Sequence, residues 1–142
     1  LGINGKNSEF HAAMGLVNLK YADEIISRRK TLSAHYDKFM KNFRAAKPFI
    51  SSEVTYNYAY YPIIFDEEGL LLRIVETLNQ NWIHPRRDFF PSLEDLPYIH
   101  EKSRCPIVES VARLALCLPL YDTLTTEEID MIFRIMLRVQ NN

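Results

Sequence analysis

Cysteine is nearly absent: Cys105 and Cys117 are the only two in 142 residues. That is too few for a disulfide framework, and they do not form the Cys-x-x-Cys pair of a zinc site, so both are expected to be reduced, buried thiols. Glycine is scarce too, with four residues, and none belongs to a Gly-rich phosphate loop or to a Gly-x-Ser-x-Gly elbow. Neither sign of charge dominates. Seventeen basic and eighteen acidic residues leave a formal charge of -1, which excludes the global field that draws a protein to nucleic acid or anionic lipid. No apolar run approaches the roughly 20 residues needed to cross a bilayer, and the amino end lacks the layout of a signal peptide. The expectation is a cytoplasmic protein with no nucleic-acid and no membrane partner. His11, His35 and His100 are scattered without metal-ligand spacing.

What is present is apolar surface. With 47% hydrophobic and 12% aromatic residues, the chain can bury a core, and its length suits a single domain. It begins at Leu1, directly in the turn Gly2-Ile3-Asn4-Gly5, with nothing before it to turn back from. That start reads as a cut from a longer protein.

From residue 8 to about residue 44 there is no proline, and Phe10, Met14, Val17, Tyr21, Ile25, Leu32, Tyr36, Phe39 and Phe43 recur at helical intervals. Straight, this stretch would run about 55 Å, so two consecutive helices are expected, with Asp23 capping the second. The run Tyr58-Ala59-Tyr60-Tyr61-Pro62-Ile63-Ile64-Phe65 predicts a strand, with Pro62 at an edge or bulge. Asp66 is placed to cap a helix over about residues 67–80, with Leu70, Leu71, Ile74, Val75 and Leu78 inward. A second strand is expected over residues 82–86, then a long loop over 88–104. Pro106 suits the first turn of a short helix, Leu116 to Leu120 a third strand, and Thr125 with Glu128 a capping box for the last helix. Three short strands with about five helices point to a small mixed sheet covered by helices, an α/β domain.

Three segments could carry chemistry. The loop Gly2-Ile3-Asn4-Gly5-Lys6-Asn7-Ser8 feeds a helix amino end, which binds anions through free N–H groups, or is only a turn with an N-cap at Ser8. In His84-Pro85-Arg86-Arg87-Asp88-Phe89-Phe90-Pro91, guanidinium forks suit phosphate oxygens and aromatic faces suit a sugar or base; the plainer reading is a solvated strand end with one ion pair between Asp88 and an arginine. The phenols of Tyr56-Asn57-Tyr58-Ala59-Tyr60-Tyr61 fit strand packing better than a ligand site. Arg28-Arg29-Lys30 reads as a solvated helix face.

Together these segments resemble one family. Gly2-Ile3-Asn4-Gly5-Lys6-Asn7-Ser8-Glu9-Phe10-His11-Ala12-Ala13-Met14-Gly15-Leu16 is similar to the Gly-x-Asn-x-Arg-Met-Ser-Glu-Leu-Gln-Ala-Ala-x-Gly-Leu of the DegT/StrS group of pyridoxal-phosphate (PLP) sugar aminotransferases. Pro85-Arg86-Arg87-Asp88-Phe89-Phe90-Pro91-Ser92-Leu93 resembles the Pro-Arg-Arg-Tyr-Phe-Tyr-Pro-Ser-Leu of its nucleotide-sugar branch, preceded by a matching Asn57-Tyr58-Ala59-Tyr60-Tyr61-Pro62. Leu116-Cys117-Leu118-Pro119-Leu120-Tyr121 is the third match. The likeness runs from Gly2 to about Val139, in the order and spacing of the family's last third. Lys6, His11, Asp88 and Phe90 depart from its pattern.

The resemblance implies the small C-terminal domain of a fold-type I PLP aminotransferase, with a mainly antiparallel three-stranded sheet. It implies that Asn4 binds the coenzyme phosphate of the neighbouring subunit in a homodimer, and that His84, Arg86, Arg87, Asp88 and Phe90 bind the substrate. That substrate resembles a thymidine-diphosphate (dTDP) 4-keto-6-deoxyglucose, aminated from glutamate for cell-surface polysaccharide. The Schiff-base lysine lies upstream of this segment in the family, and none of the seven lysines here stands in its motif. These residues alone are therefore expected to be inactive, and to expose apolar area that a larger domain covers. The competing expectation is a stand-alone binding or dimerisation module without catalysis.

Overall fold

The computed structural model describes residues 5, 7–88, 90–100 and 105–142. Asn4 and Lys6 lie outside them. Two helices come first, as expected. Helix α1 (Glu9–Leu19) starts at Ser8, whose Oγ accepts the His11 backbone N–H. Its last turn tightens, with Lys20 N–H bonded to Val17 O and Tyr21 N–H to Asn18 O, and α2 (Ala22–Met40) follows at once. Asp23 does not cap α2; Tyr21 stands at that position without a side-chain bond, and Asp23 sits in the first turn, where its charge favours the helix dipole. The periodic apolar stripe divides at this break. In α2 it buries Leu32 and Tyr36, whereas α1 buries nothing and leaves Phe10 86% exposed.

The sheet is three-stranded and antiparallel in the order β1-β2-β3. Strand β1 (Ala45–Ala46) was not legible, since two alanines carry no strand signal; β2 is Tyr61–Phe65 and β3 is Ala115–Leu118. The strand expected from Tyr58 begins only at Tyr61, because Tyr58 takes a left-handed backbone, φ 51°, which an extended run excludes.

Pro62 is tolerated for a specific reason. Its partner Cys117 bonds through both N–H and C=O to Arg86 on the far side of β3. Pro62 and Cys117 therefore form a pair without mutual hydrogen bonds, and the proline nitrogen faces the other edge. There β1 ends, at Ala46 opposite Ile64. The strand expected over residues 82–86 shrinks to the single bridge Arg86↔Cys117. Trp82 at φ 62° breaks the extended backbone at its start, and Pro85 offers no N–H.

Helix α3 (Glu68–Gln80) buries Leu70, Leu71, Ile74 and Leu78. Its expected cap Asp66 instead accepts Arg44 Nε–H at 2.9 Å, and Glu67 occupies the cap position without a side-chain bond. After a short 3-10 turn at Leu93–Asp95, α4 (Pro106–Leu114) begins with proline in its first turn. Helix α5 (Thr126–Gln140) has the expected capping box: Thr125 Oγ1 accepts Glu128 N–H and Glu128 Oε2 accepts Thr125 N–H at 2.8 Å.

The core lies where α2, α3 and α5 meet the face of β2 that carries Tyr61, Ile63 and Phe65. Phe133 of α5 is its hub, stacked on Phe39 at 4.8 Å and flanked by Tyr36 and Phe43. Tyr36 is fully buried, stacks on Tyr61 at 4.5 Å and donates its hydroxyl to Pro119 O at 2.9 Å. Of the two cysteines, Cys117 is buried as expected but Cys105 is exposed, because it precedes α4 at the surface end of the loop. Among the described residues no helix is long and apolar enough to cross a membrane, and no cluster of side chains could hold a metal ion.

Candidate functional site

The last turn of α3 aims the segment that matters. Ile83 N–H reaches back to Leu78 O and Trp82 N–H to Asn79 O, both at 3.0 Å, the paired bonds of a Schellman ending. The chain then runs beside β3, held by the two backbone bonds between Arg86 and Cys117 at 2.8 and 3.0 Å. Trp82, His84, Arg86 and Asp88 all line one cavity of about 600 Å³, whose other walls come from α2, from residues 117–121 and from α5.

His84 is oriented from behind: its Nδ1 lies 2.8 Å from Asn79 Oδ1. An amide oxygen can only accept, so Nδ1 carries a proton and Nε2 is the ring's remaining polar atom. Asp88 stands beside Cys117, and burial, with that carboxylate adding to it, pushes the thiol up to about 11. One Asp88 oxygen is buried without a hydrogen-bond partner. The expected ion pair of Asp88 with an arginine does not form among the described residues.

Arg87 faces the other way. Its Nη2 donates to Arg113 O at 2.9 Å, at the carboxyl end of α4, and lies 3.6 Å from Glu68 Oε1. Its guanidinium sits 3.8 Å from the centre of the Phe90 ring. Of the five residues expected on the substrate, the structure brings His84, Arg86 and Asp88 together, and places Arg87 with Phe90 outside the cavity, bracing the loop against α3 and α4. Asn4 lies outside the described residues.

Among the cavity residues that sequence reasoning missed, three offer a cation or an aromatic face. Arg29 is one wall, although Arg28-Arg29-Lys30 reads as solvated. Its Nε is buried without a hydrogen-bond partner, and it forms no ion pair among the described residues. A signal was available: Leu32, Ser33 and Tyr36, all buried, stand three, four and seven residues further on, so Arg29 shares their face. Tyr121 and Trp82 are the others. The cavity also holds Glu128, but its Oε2 is occupied by the Thr125 N–H and hydroxyl. The site thus joins two guanidinium groups, an imidazole and exposed aromatic faces, a combination suited to a phosphorylated ligand with a planar or sugar ring.

A second cavity, of about 580 Å³, is lined by the tyrosine segment, with Tyr56, Tyr58 and Tyr60 in a loop rather than a strand. Of the two lysines that line it, Lys30 and Lys47, the second is paired with Asp37 at 2.8 Å, and Asp37 also accepts the Tyr61 hydroxyl at 2.6 Å.

Known proteins share this sequence and fold. A dTDP-4-amino-4,6-dideoxy-D-glucose transaminase of Escherichia coli is 35% identical over 144 residues, covering 96% of this chain and 39% of the relative. The structure of DesI, solved in the presence of its TDP-sugar product, superposes with a TM-score of 0.85 at 26% identity, over 97% of this chain and 37% of that one. A DegT DnrJ EryC1 StrS aminotransferase from Brucella abortus shares the fold, with a TM-score of 0.83 at 18% identity over 100% of this chain and 38% of that one. The chain spans about two-fifths of the length of the curated relatives it matches. From residue 1 to residue 137 it fits the model of the DegT/DnrJ/EryC1/StrS aminotransferase family, and to that family it belongs.

Proposed function

We propose that this chain is the C-terminal domain of a PLP-dependent aminotransferase that moves an amino group from glutamate to a keto-sugar nucleotide of the dTDP-4-keto-6-deoxyglucose type. The whole protein would act in the cytoplasm as a homodimer, in the supply of sugars for cell-surface polysaccharide. The observation that carries this reading is the cavity: Arg29, His84 and Arg86 converge there with aromatic faces, in a family of sugar aminotransferases. The name of the Escherichia coli relative and the TDP-sugar product of DesI support the substrate class.

In this reading Arg86 and Arg29 bind the diphosphate, since a guanidinium fork matches phosphate oxygens and keeps its charge at any working pH. His84, set by Asn79, donates or accepts at a sugar hydroxyl. Asp88 takes a donor of the ligand on its unpartnered oxygen, while Arg87 and Phe90 hold the loop in place. Pyridoxal phosphate, when bound, supplies the carrier of the amino group. The described residues do not make a site for it: none of their lysines lines the cavity, and Lys47 is tied to Asp37. No step through the coenzyme is therefore assigned to them. Asn4 would reach the coenzyme phosphate of the neighbouring subunit.

The test is a chimera joining this chain to the part of the Escherichia coli relative that it does not match. Glutamate-dependent amination of dTDP-4-keto-6-deoxyglucose is expected, and Arg86→Gln should raise KM about tenfold with kcat little changed. A folded, PLP-loaded chimera without that activity would refute the reading, and would leave a non-catalytic binding or dimerisation module in its place.

A further inference from the structure

Trp82 stands where a helix ending asks for glycine. It is the residue just past the cap of α3, at φ 62°, within the paired bonds from Trp82 N–H and Ile83 N–H described above. Glycine takes that left-handed conformation freely; a side chain with a Cβ and a bulky ring takes it at a cost in strain. Packing does not offset the cost, because Trp82 is 88% exposed. A strained and exposed aromatic is unexplained by the fold, and such positions mark function more often than chance allows. The strain has one visible product, an indole on the rim of the cavity that also contains Arg29, Arg86 and Tyr121.

From this we infer that Trp82 is the stacking platform for the base of the nucleotide sugar. The inference rests on the cavity being the substrate site and names which part of the ligand lies where. An indole offers a large flat face to a pyrimidine and tolerates its polar edges remaining in water, which suits an exposed ring better than a buried one. With the base on Trp82, the diphosphate falls to the guanidinium groups further in, and the sugar lies toward His84 and Asp88. The two backbone bonds of the turn hold the segment that carries the indole despite the strain, and a fixed platform loses less freedom on binding.

Trp82 is the only tryptophan of the chain, so its fluorescence reports on this residue alone. Thymidine diphosphate titrated into the 142-residue chain is expected to quench that emission saturably. Inorganic pyrophosphate should compete for the site while leaving the emission largely unchanged. Calorimetry on Trp82→Gly should show binding of thymidine diphosphate about tenfold weaker or more, with Trp82→Phe retaining most of the affinity. The Trp82→Gly chain should melt no lower than the parent, since glycine relieves the turn; this separates lost binding from lost folding. Undiminished binding by Trp82→Gly, with Arg86→Gln impaired, would overturn the platform and leave the cavity as the substrate site. Absence of nucleotide binding both by this chain and by the chimera described above would overturn both.

Discussion

Alkali should unfold this domain sooner than its composition suggests, because three groups that ionise above neutrality are buried in the core around the cavity wall. Cys117 is 5% exposed, and burial, with Asp88 adding to it, raises its thiol from 9.0 to about 11. Tyr36 and Tyr61 are 0% and 1% exposed, and burial chiefly lifts both phenols far above their ordinary value of 10.0; for Tyr61 the bond to Asp37 adds to it. Each group holds its proton in the folded chain at a pH where the unfolded chain has released it. The unfolded state then binds fewer protons, and stability falls as pH rises. The thiol contributes stability that is whole below pH 9 and lost by about pH 11; the phenols begin to contribute to the loss at pH 10. Linkage puts the combined loss at about 2 kcal/mol by pH 10 and about 5 kcal/mol by pH 11, against a total of about 5–15 kcal/mol for a domain of this kind.

Urea denaturation followed by circular dichroism at pH 8, 10 and 11 measures this directly. At about 2 kcal/mol per molar urea, the midpoint should fall by roughly 2 M or more between pH 8 and pH 11. Tyr36→Phe makes the reasoning sharper. At pH 8 it should destabilise by about 1 kcal/mol, since Pro119 O loses its donor. At pH 11 it should recover about 1.4 kcal/mol, because one reluctant phenol is gone. The curves of parent and variant should therefore converge and cross. Parallel curves, or a midpoint that does not move with pH, would refute the assignment of these groups as the cause.

The neighbouring arginines should separate cleanly. Arg87→Ala is expected to lower the melting temperature by several degrees, since it removes the bond to Arg113 O and the stack on Phe90; Arg86→Ala should leave it nearly unchanged, and equal effects would contradict the geometry. Helix α1 should drive self-association, because Phe10 and Met14 are 86% and 61% exposed on one face. In sedimentation the doubly substituted chain with Phe10→Asp and Met14→Asp should be monomeric at concentrations where the parent associates, with its melting temperature unchanged.

Much of this architecture could be read from residue order, and the failures have physical causes. Helices α3, α4 and α5 were legible because their signals are local: an apolar stripe, a proline in the first turn, a threonine and a glutamate three apart. Caps at Asp23 and Asp66 were misplaced because a carboxylate near a helix start has rivals for its bonds, and Arg44 takes Asp66. Strand β1 escaped notice because two alanines become a strand only when β2 lies alongside. The apolar stripe of α1 gave no hint that nothing among the described residues covers it, since periodicity reports an amphipathic face and not what lies against it.

The site shows the same limit from the opposite side. The strand expected over residues 82–86 does not form: Asn81, Trp82, Ile83 and His84 line the cavity in succession, and only from His84 through Arg86 to Asp88 does the wall keep the alternation of a strand, with Pro85 and Arg87 off it. Two backbone bonds to Cys117 suffice to hold that alternation, and Pro85 stiffens the residue between His84 and Arg86. Alternation also divides the arginine pair: with Arg86 facing the cavity, its neighbour Arg87 must face α3 and α4, where Arg113 O and Glu68 receive it. Two adjacent identical residues thus face opposite ways, one on the cavity wall and one bound into the frame. The resemblance treated them alike, and only the bridge to β3 tells them apart. A one-residue slip in that bridge would turn Arg87 to the cavity and Arg86 to the frame, so a single bridge governs which guanidinium the cavity wall carries.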